Sequence, residues 1–154
     1  LPAGPVKIAV KNTQNYSHRW TSTETVKAMA LTDAITAMNF DDLIEFDKDA
    51  RLVRKKLFQS DIVVCELVCY EPGQFTKFHV HPNQDEIFFC MDGEGVITFA
   101  EAEDMPIRKG SVVFVPKGTE HGVNTLDGRR LVVVFTKGPG LPNPRKTMEG
   151  AANG

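Results

Sequence analysis

The stretch Gly73–Gly93, GQFTKFHVHPNQDEIFFCMDG, decides the fold. It holds two short runs rich in aromatic and apolar residues, Phe75–Val80 and Glu86–Met91, with His81-Pro82-Asn83 between them. Glu71-Pro72-Gly73 precedes the first run and Met91-Asp92-Gly93 follows the second. Apolar runs punctuated by Gly, Pro, Asn and Asp read as short strands joined by turns. Side chains two apart on a strand share a face, so the imidazoles of His79 and His81 can converge on one point. Glu86 opens the next run, and an antiparallel neighbour reached by a short turn can bring its carboxylate beside those rings.

The same rhythm extends outward from about Asp41 to Lys137. Further strands are expected at Arg51–Phe58, Ile62–Tyr70, Gly95–Ala100, Ser111–Val115, Gly122–Thr125 and Arg130–Thr136. Arg108-Lys109-Gly110, Pro116-Lys117-Gly118 and Leu126-Asp127-Gly128 supply the remaining turns. Many short strands without alternating long helices point to an all-β sandwich or barrel, not a βαβ fold. His121, just after the Pro116-Lys117-Gly118 turn, can reach His79, His81 and Glu86 only if the sheet curls, as in a small barrel. Three imidazoles and one carboxylate suit Fe(II), Mn(II), Co(II), Ni(II), Cu(II) or Zn(II) better than Ca or Mg.

Gly73-x5-His79-x-His81-x4-Glu86-x6-Gly93 resembles the first motif of the cupin family at each defined position, and Gly110-x5-Pro116-x-Gly118-x2-His121 resembles most of the second. Thr125 stands where the second motif ends in Asn, and Asn124 comes one residue early. The resemblance covers about Phe40 to Thr136, with the short inter-motif spacing of small single-domain bacterial cupins. It implies a jelly-roll β-barrel (double-stranded β-helix) holding one divalent metal on His79, His81, Glu86 and His121. Residues 40–137 are the expected barrel, 1–39 an N-terminal extension and 138–154 a C-terminal tail. The extension carries a helical pattern from about Thr23 to Met38, opened by the capping-box pair Thr21 and Glu24.

The family contains dioxygenases, decarboxylases, isomerases, lyases and proteins that only bind ligands. The expectation drawn from it is a mononuclear non-haem dioxygenase, with Fe(II) favoured and Glu86 also available as a catalytic base. The alternatives are a metal-dependent lyase, isomerase or decarboxylase, and a non-catalytic small-ligand-binding cupin. Strand parity places Phe75 and Lys77 with the two histidines, Phe88 and Cys90 with Glu86, and Val123 with His121. Together these make the expected substrate pocket, mainly apolar with one cation. A divalent metal less one carboxylate leaves about one positive charge, which favours an anionic substrate.

Bulk properties set the remaining expectations. The chain has 154 residues, 42% hydrophobic and 25% charged, with a formal net charge of −2. That is an ordinary single-domain composition and lacks the basic surface that nucleic-acid binding needs. Three cysteines form no Cys-x-x-Cys pair, so buried inert thiols in a reducing cytoplasm are expected. No apolar run reaches the roughly 20 residues of a membrane span, and no secretory pattern opens the chain. His18 reads as a surface or packing residue. Arg51, Arg54, Lys55 and Lys56 read as a solvated, charged edge strand. A homodimer is expected, built through edge strands and N-terminal segments.

Overall fold

The computed structural model of the chain describes residues 37–140. Eight strands follow a 3-10 turn at Phe40–Leu43: β1 Val53–Gln59, β2 Val64–Tyr70, β3 Phe75–His79, β4 Asp85–Phe99, β5 Met105–Arg108, β6 Val112–Val115, β7 His121–Thr125 and β8 Leu131–Gly138. All pairings are antiparallel, and the main path runs β1-β2-β8-β4-β7-β3. The long β4 serves two sheets. Residues 85–93 pair with β8 and residues 86–89 with β6, while residues 94–97 pair with β5 and 95–99 with β7. Curling one sheet into the other through β4 produces the double-stranded β-helix expected from the sequence.

β4 corrects the sequence reading, which placed a turn at Met91-Asp92-Gly93 between two strands. The chain runs through with a register shift between Cys90 and Asp92, and Gly93 there has φ +78. A bulge, not a reversal, absorbs the glycine and bends the strand from one sheet to the other. Any Cβ at Gly93 would collide with the Arg130 carbonyl oxygen. β5 was not expected at all. The pairing of Pro106 with Val96 is tolerated because β5 pairs with β4 alone, leaving its other side unpaired. The predicted N-terminal helix lies outside the described residues except for Ala37 and Met38, which are not helical. Of the C-terminal tail only residues 138–140 are described.

The inward faces of the two sheets form the core. Val68, Phe88, Ile97, Val123, Leu131, Val133 and Phe135 pack there, each almost wholly buried. Burying an aliphatic or aromatic side chain of this size contributes about 1.5–3 kcal/mol, so the interior sets the strand register firmly. A second cluster, Leu43, Leu57, Leu67, Cys69 and Val132, lies on the outer face of β1, β2 and β8, beneath Met38, Ile44 and Phe46. The Asn39 side chain accepts a hydrogen bond from the Asp41 N–H and starts the 3-10 turn that carries Leu43 into this cluster. No helix among the described residues is long and apolar enough to cross a membrane.

Candidate metal centre

Each expected donor stands on a separate structural device. His79 ends β3 and lies directly opposite His121 at the start of β7. His81 lies beyond the end of β3, and its carbonyl accepts a hydrogen bond from Gly118 N–H at 2.9 Å. This ties the loop after β3 to the Pro116-Lys117-Gly118 turn, which closes through Thr119 N–H to the Pro116 carbonyl with Gly118 at φ +81. Glu86 sits on β4 between Val115 and Lys137 of the flanking strands. Asp85 accepts from the Lys117 N–H at 2.9 Å and fastens the same turn from the other side.

His79, His81, Glu86 and His121 each offer one donor atom, all within 4.8 Å of one another. The His79 and His81 Nε2 atoms are 3.2 Å apart. Glu86 Oε2 is 2.9 Å from His121 Nε2 and 3.4 Å from His81 Nε2. Donors held about 2.1 Å from an ion stand about 3.0 Å apart in an octahedral shell and about 3.4 Å apart in a tetrahedral one, so this spacing fits a single ion. The tautomers agree with it. His79 Nδ1 lies 3.0 Å from the Lys77 carbonyl oxygen and His121 Nδ1 lies 2.9 Å from that of Thr119. An Nδ1–H donated to a carbonyl leaves the Nε2 lone pair facing inward, as metal-ligating histidines require.

Glu86 is 2% exposed and His121 is 1% exposed. A carboxylate this deep needs a cationic partner. For His121, burial acts to lower the pKa, but the hydrogen bonds to Glu86 and to the Thr119 carbonyl, with the charge of Glu86, outweigh it and raise the value. Burial lowers the pKa of His79 and His81, and the charge of Lys137 adds to this at both. Three imidazoles beside a buried carboxylate form a cluster that can hold one metal ion.

His79, His81 and Glu86 line a cavity of about 270 Å³, with His121 buried behind them. Phe88, Val123 and Lys77 line it as the sequence suggests, but Phe75 and Cys90 do not. Phe75 is half exposed, because β3 shifts register against β7 between Thr76 and His79 and so breaks the strict alternation of faces. Cys90 shares the inward face of β4 with Glu86 and Phe88 but belongs to the core. Its Sγ points at the carbonyls of Asp92 and Gly93.

Arg51, Arg54, Tyr70, Phe135 and Lys137 also reach the cavity and were missed in the sequence. Arg51, just before β1, and Arg54, on it, are exposed residues at an end strand of the sheet, as the sequence suggests, and they also border the cavity mouth. Parity on β8 was the available signal for Lys137, since Val133, Phe135 and Lys137 alternate. Tyr70 shares a 2.8 Å hydrogen bond with Thr76. Its pKa is pushed up to about 12 by burial, against the lowering effect of that hydrogen bond, so it keeps its proton at neutral pH. Thr125, in place of the family's Asn, accepts from Gly73 N–H at 2.9 Å and donates to the Gln74 carbonyl at 3.2 Å, joining β7 to the turn before β3.

An eight-stranded double-stranded β-helix with three histidines and one glutamate clustered at its interior defines a cupin barrel with a site that could hold one metal ion. Residues 66–136 match the cupin domain model, and the chain belongs to the cupin superfamily. It is 32% identical over 65 residues to L-ectoine synthase of Vibrio campbellii, covering 42% of this chain and 51% of that protein. It is 30% identical over 81 residues to dimethylsulfoniopropionate lyase DddQ of Ruegeria pomeroyi, covering 53% and 40%. The structure of that lyase superposes with a TM-score of 0.53 at 23% identity, over 66% of this chain and 54% of that one. An RmlC-like cupin protein from Desulfovibrio desulfuricans shares the fold at a TM-score of 0.63 and 22% identity, over 70% of this chain and 100% of that one. The chain spans about half the length of the curated relatives it matches.

Proposed function

We propose that the protein is a metal-dependent enzyme acting on a small anionic molecule, with His79, His81, Glu86 and His121 as the ligands. The observation that carries this reading is the buried Glu86 carboxylate, set between His81 and His121 on the wall of a cavity open to solvent. When bound, the ion supplies Lewis acidity toward an oxygen of the substrate. The chain's own residues do the rest. Phe88, Val123 and Phe135 exclude water from one side of the cavity, and the protonated Tyr70 hydroxyl can donate a hydrogen bond to a developing negative charge. Glu86 is the carboxylate available to take a proton at the reacting end of the substrate.

Lyase chemistry is the reading we favour for the reaction, supported by similarity to a protein named as a dimethylsulfoniopropionate lyase. Dioxygenase chemistry on Fe(II) is the second reading, supported by the count of four donors. An iron held by those four residues would supply redox chemistry toward O₂ and the substrate. Turnover of a panel of small carboxylates under strict anaerobiosis supports the first. Substrate loss that requires O₂ and consumes it in equal amount replaces it with the second. If tight binding persists without turnover under either condition, the protein is a ligand-binding cupin. The homodimer belongs to the same proposal, and a one-chain mass by light scattering at micromolar concentration would remove it.

A further inference from the structure

The cavity carries more positive charge than a single metal-bound anion needs. Arg51, Arg54, Lys77 and Lys137 all line it. The facing carboxylates are Glu86, turned toward the histidines, and Glu66, which lies 3.6 Å from both Arg54 and Lys137. Ordinary N–H···O hydrogen bonds measure about 2.7–3.2 Å, so Glu66 balances charge there without saturating the donors of either cation. Arg54 stands over the Phe135 ring at 5.4 Å and Lys137 over the same ring at 4.9 Å. This holds both heads on one side of the cavity. The Lys137 and Glu66 side chains are only 13% and 10% exposed, while Arg54 is 36% exposed at the cavity mouth, so water reaches Lys137 poorly and a second anion entering past Arg54 would complete its shell.

The cation pair is also close to the metal donors. Lys137 lies beside Glu86 in the β4–β8 register and lines the same cavity as His79 and His81. A cavity of about 270 Å³ admits only a short molecule between the two ends. We propose that the substrate is a small aliphatic dicarboxylate. One carboxylate meets the metal donors and the other is held by Arg54 and Lys137, with Arg51 adding charge and the Phe88–Val123–Phe135 wall receiving the methylene chain. This assignment rests on the metal-dependent reading above for its first carboxylate but not for its second. Arg54 and Lys137 are positioning residues, and Glu66 is a built-in competitor for them.

Calorimetric titration of the full chain, loaded with Mn(II) and metal-free, tests the proposal. Malonate, succinate and glutarate are compared with propionate, butyrate and pentanoate. The best dicarboxylate is expected to bind at least about tenfold more tightly than its monocarboxylate counterpart, as one charge-assisted hydrogen-bonded contact gives. Arg54→Gln and Lys137→Gln should each abolish that preference and leave Mn(II) stoichiometry intact. Glu66→Gln should strengthen it. A purely structural role for the trio predicts loss in all three variants, so opposite signs support the subsite even if one variant folds poorly. Metal-loaded protein with equal affinity for the two series, or with a preference unchanged in both cation variants, overturns it. If no metal binds, the proposed function fails, and the metal-free titration still decides the subsite. Carboxylate binding of either series that is lost in Arg54→Gln and Lys137→Gln sustains it, and binding that is absent, or unchanged in both variants, overturns it.

Discussion

Replacing Glu86 with Gln removes one charge from the cluster and little else. The amide matches the carboxylate in shape, and its NH₂ can donate to the His121 Nε2 that stands 2.9 Å from Oε2. The metal-free variant should therefore fold with stability within about 1 kcal/mol of the parent, because the buried lone pair keeps a partner. The metal-bound state responds differently. At a free metal concentration of about 100 times Kd, binding stabilises the native state by about 2.7 kcal/mol. For a barrel of this size that raises Tm by roughly 10 °C. Loss of even a residue that only supports a ligand weakens metal binding by about 10–100-fold, and loss of the sole anionic ligand should reach at least the upper figure. Metal would then stand near Kd, and its stabilisation would fall to about 0.4 kcal/mol, or roughly 2 °C. Scanning calorimetry of parent and Glu86→Gln, with and without added Mn(II) at one fixed concentration, reads both quantities. An equal metal-induced shift in the two proteins would refute the ligand role of Glu86.

Other consequences follow from particular contacts. A Cβ at Gly95 would stand 2.7 Å from the Asn124 carbonyl oxygen and 2.6 Å from Leu131 Cδ2, so Gly95→Ala should cost about 1–3 kcal/mol in urea unfolding through overpacking; an unchanged midpoint would contradict the β4–β7 register. Glu71 takes two hydrogen bonds from Arg130 at 2.7 and 3.0 Å, which hold its pKa below the usual carboxylate value. A depressed folded-state pKa contributes stability above the unfolded value of about 4.3 that is lost as pH falls through the folded value; the Tm–pH curve of Glu71→Gln should lack this part of the acid limb. Burial pushes the thiols of Cys65 and Cys90 up to about 11, so the native chain should react with iodoacetamide at pH 7.5 far more slowly than the urea-unfolded chain. Comparable rates would show that these thiols are open to solvent.

The parts of this molecule fixed by local chemistry were legible in the sequence. The Pro116-Lys117-Gly118 turn and the His-x-His spacing announced themselves through residue type alone, and the four donors then fell together as the resemblance implied. Strand parity served well on β4, where Glu86, Phe88 and Cys90 do share a face. It failed on β3, since the shift between Thr76 and His79 that turns Phe75 outward leaves no mark in composition. Gly93 was misread because a glycine that bends a strand and one that reverses it carry the same sequence signal. The cation group was invisible for a different reason. Arg54, Glu66 and Lys137 lie on β1, β2 and β8, far apart in the chain, and meet only through the antiparallel registers that join those strands. Lys137, with Glu86 on one side in the pairing, lay one residue beyond the expected strand Arg130–Thr136.

The claim on which the rest depends is that His79, His81, Glu86 and His121 bind one metal ion. Plasma mass spectrometry of the full chain, purified without a histidine tag or chelator and compared with His81→Ala, tests it most directly. The structure predicts about one equivalent of a first-row divalent metal in the parent and most of it lost in the variant, with the far-UV circular dichroism unchanged. Parent protein without metal even after anaerobic reconstitution, or a variant with the same metal content, would contradict it.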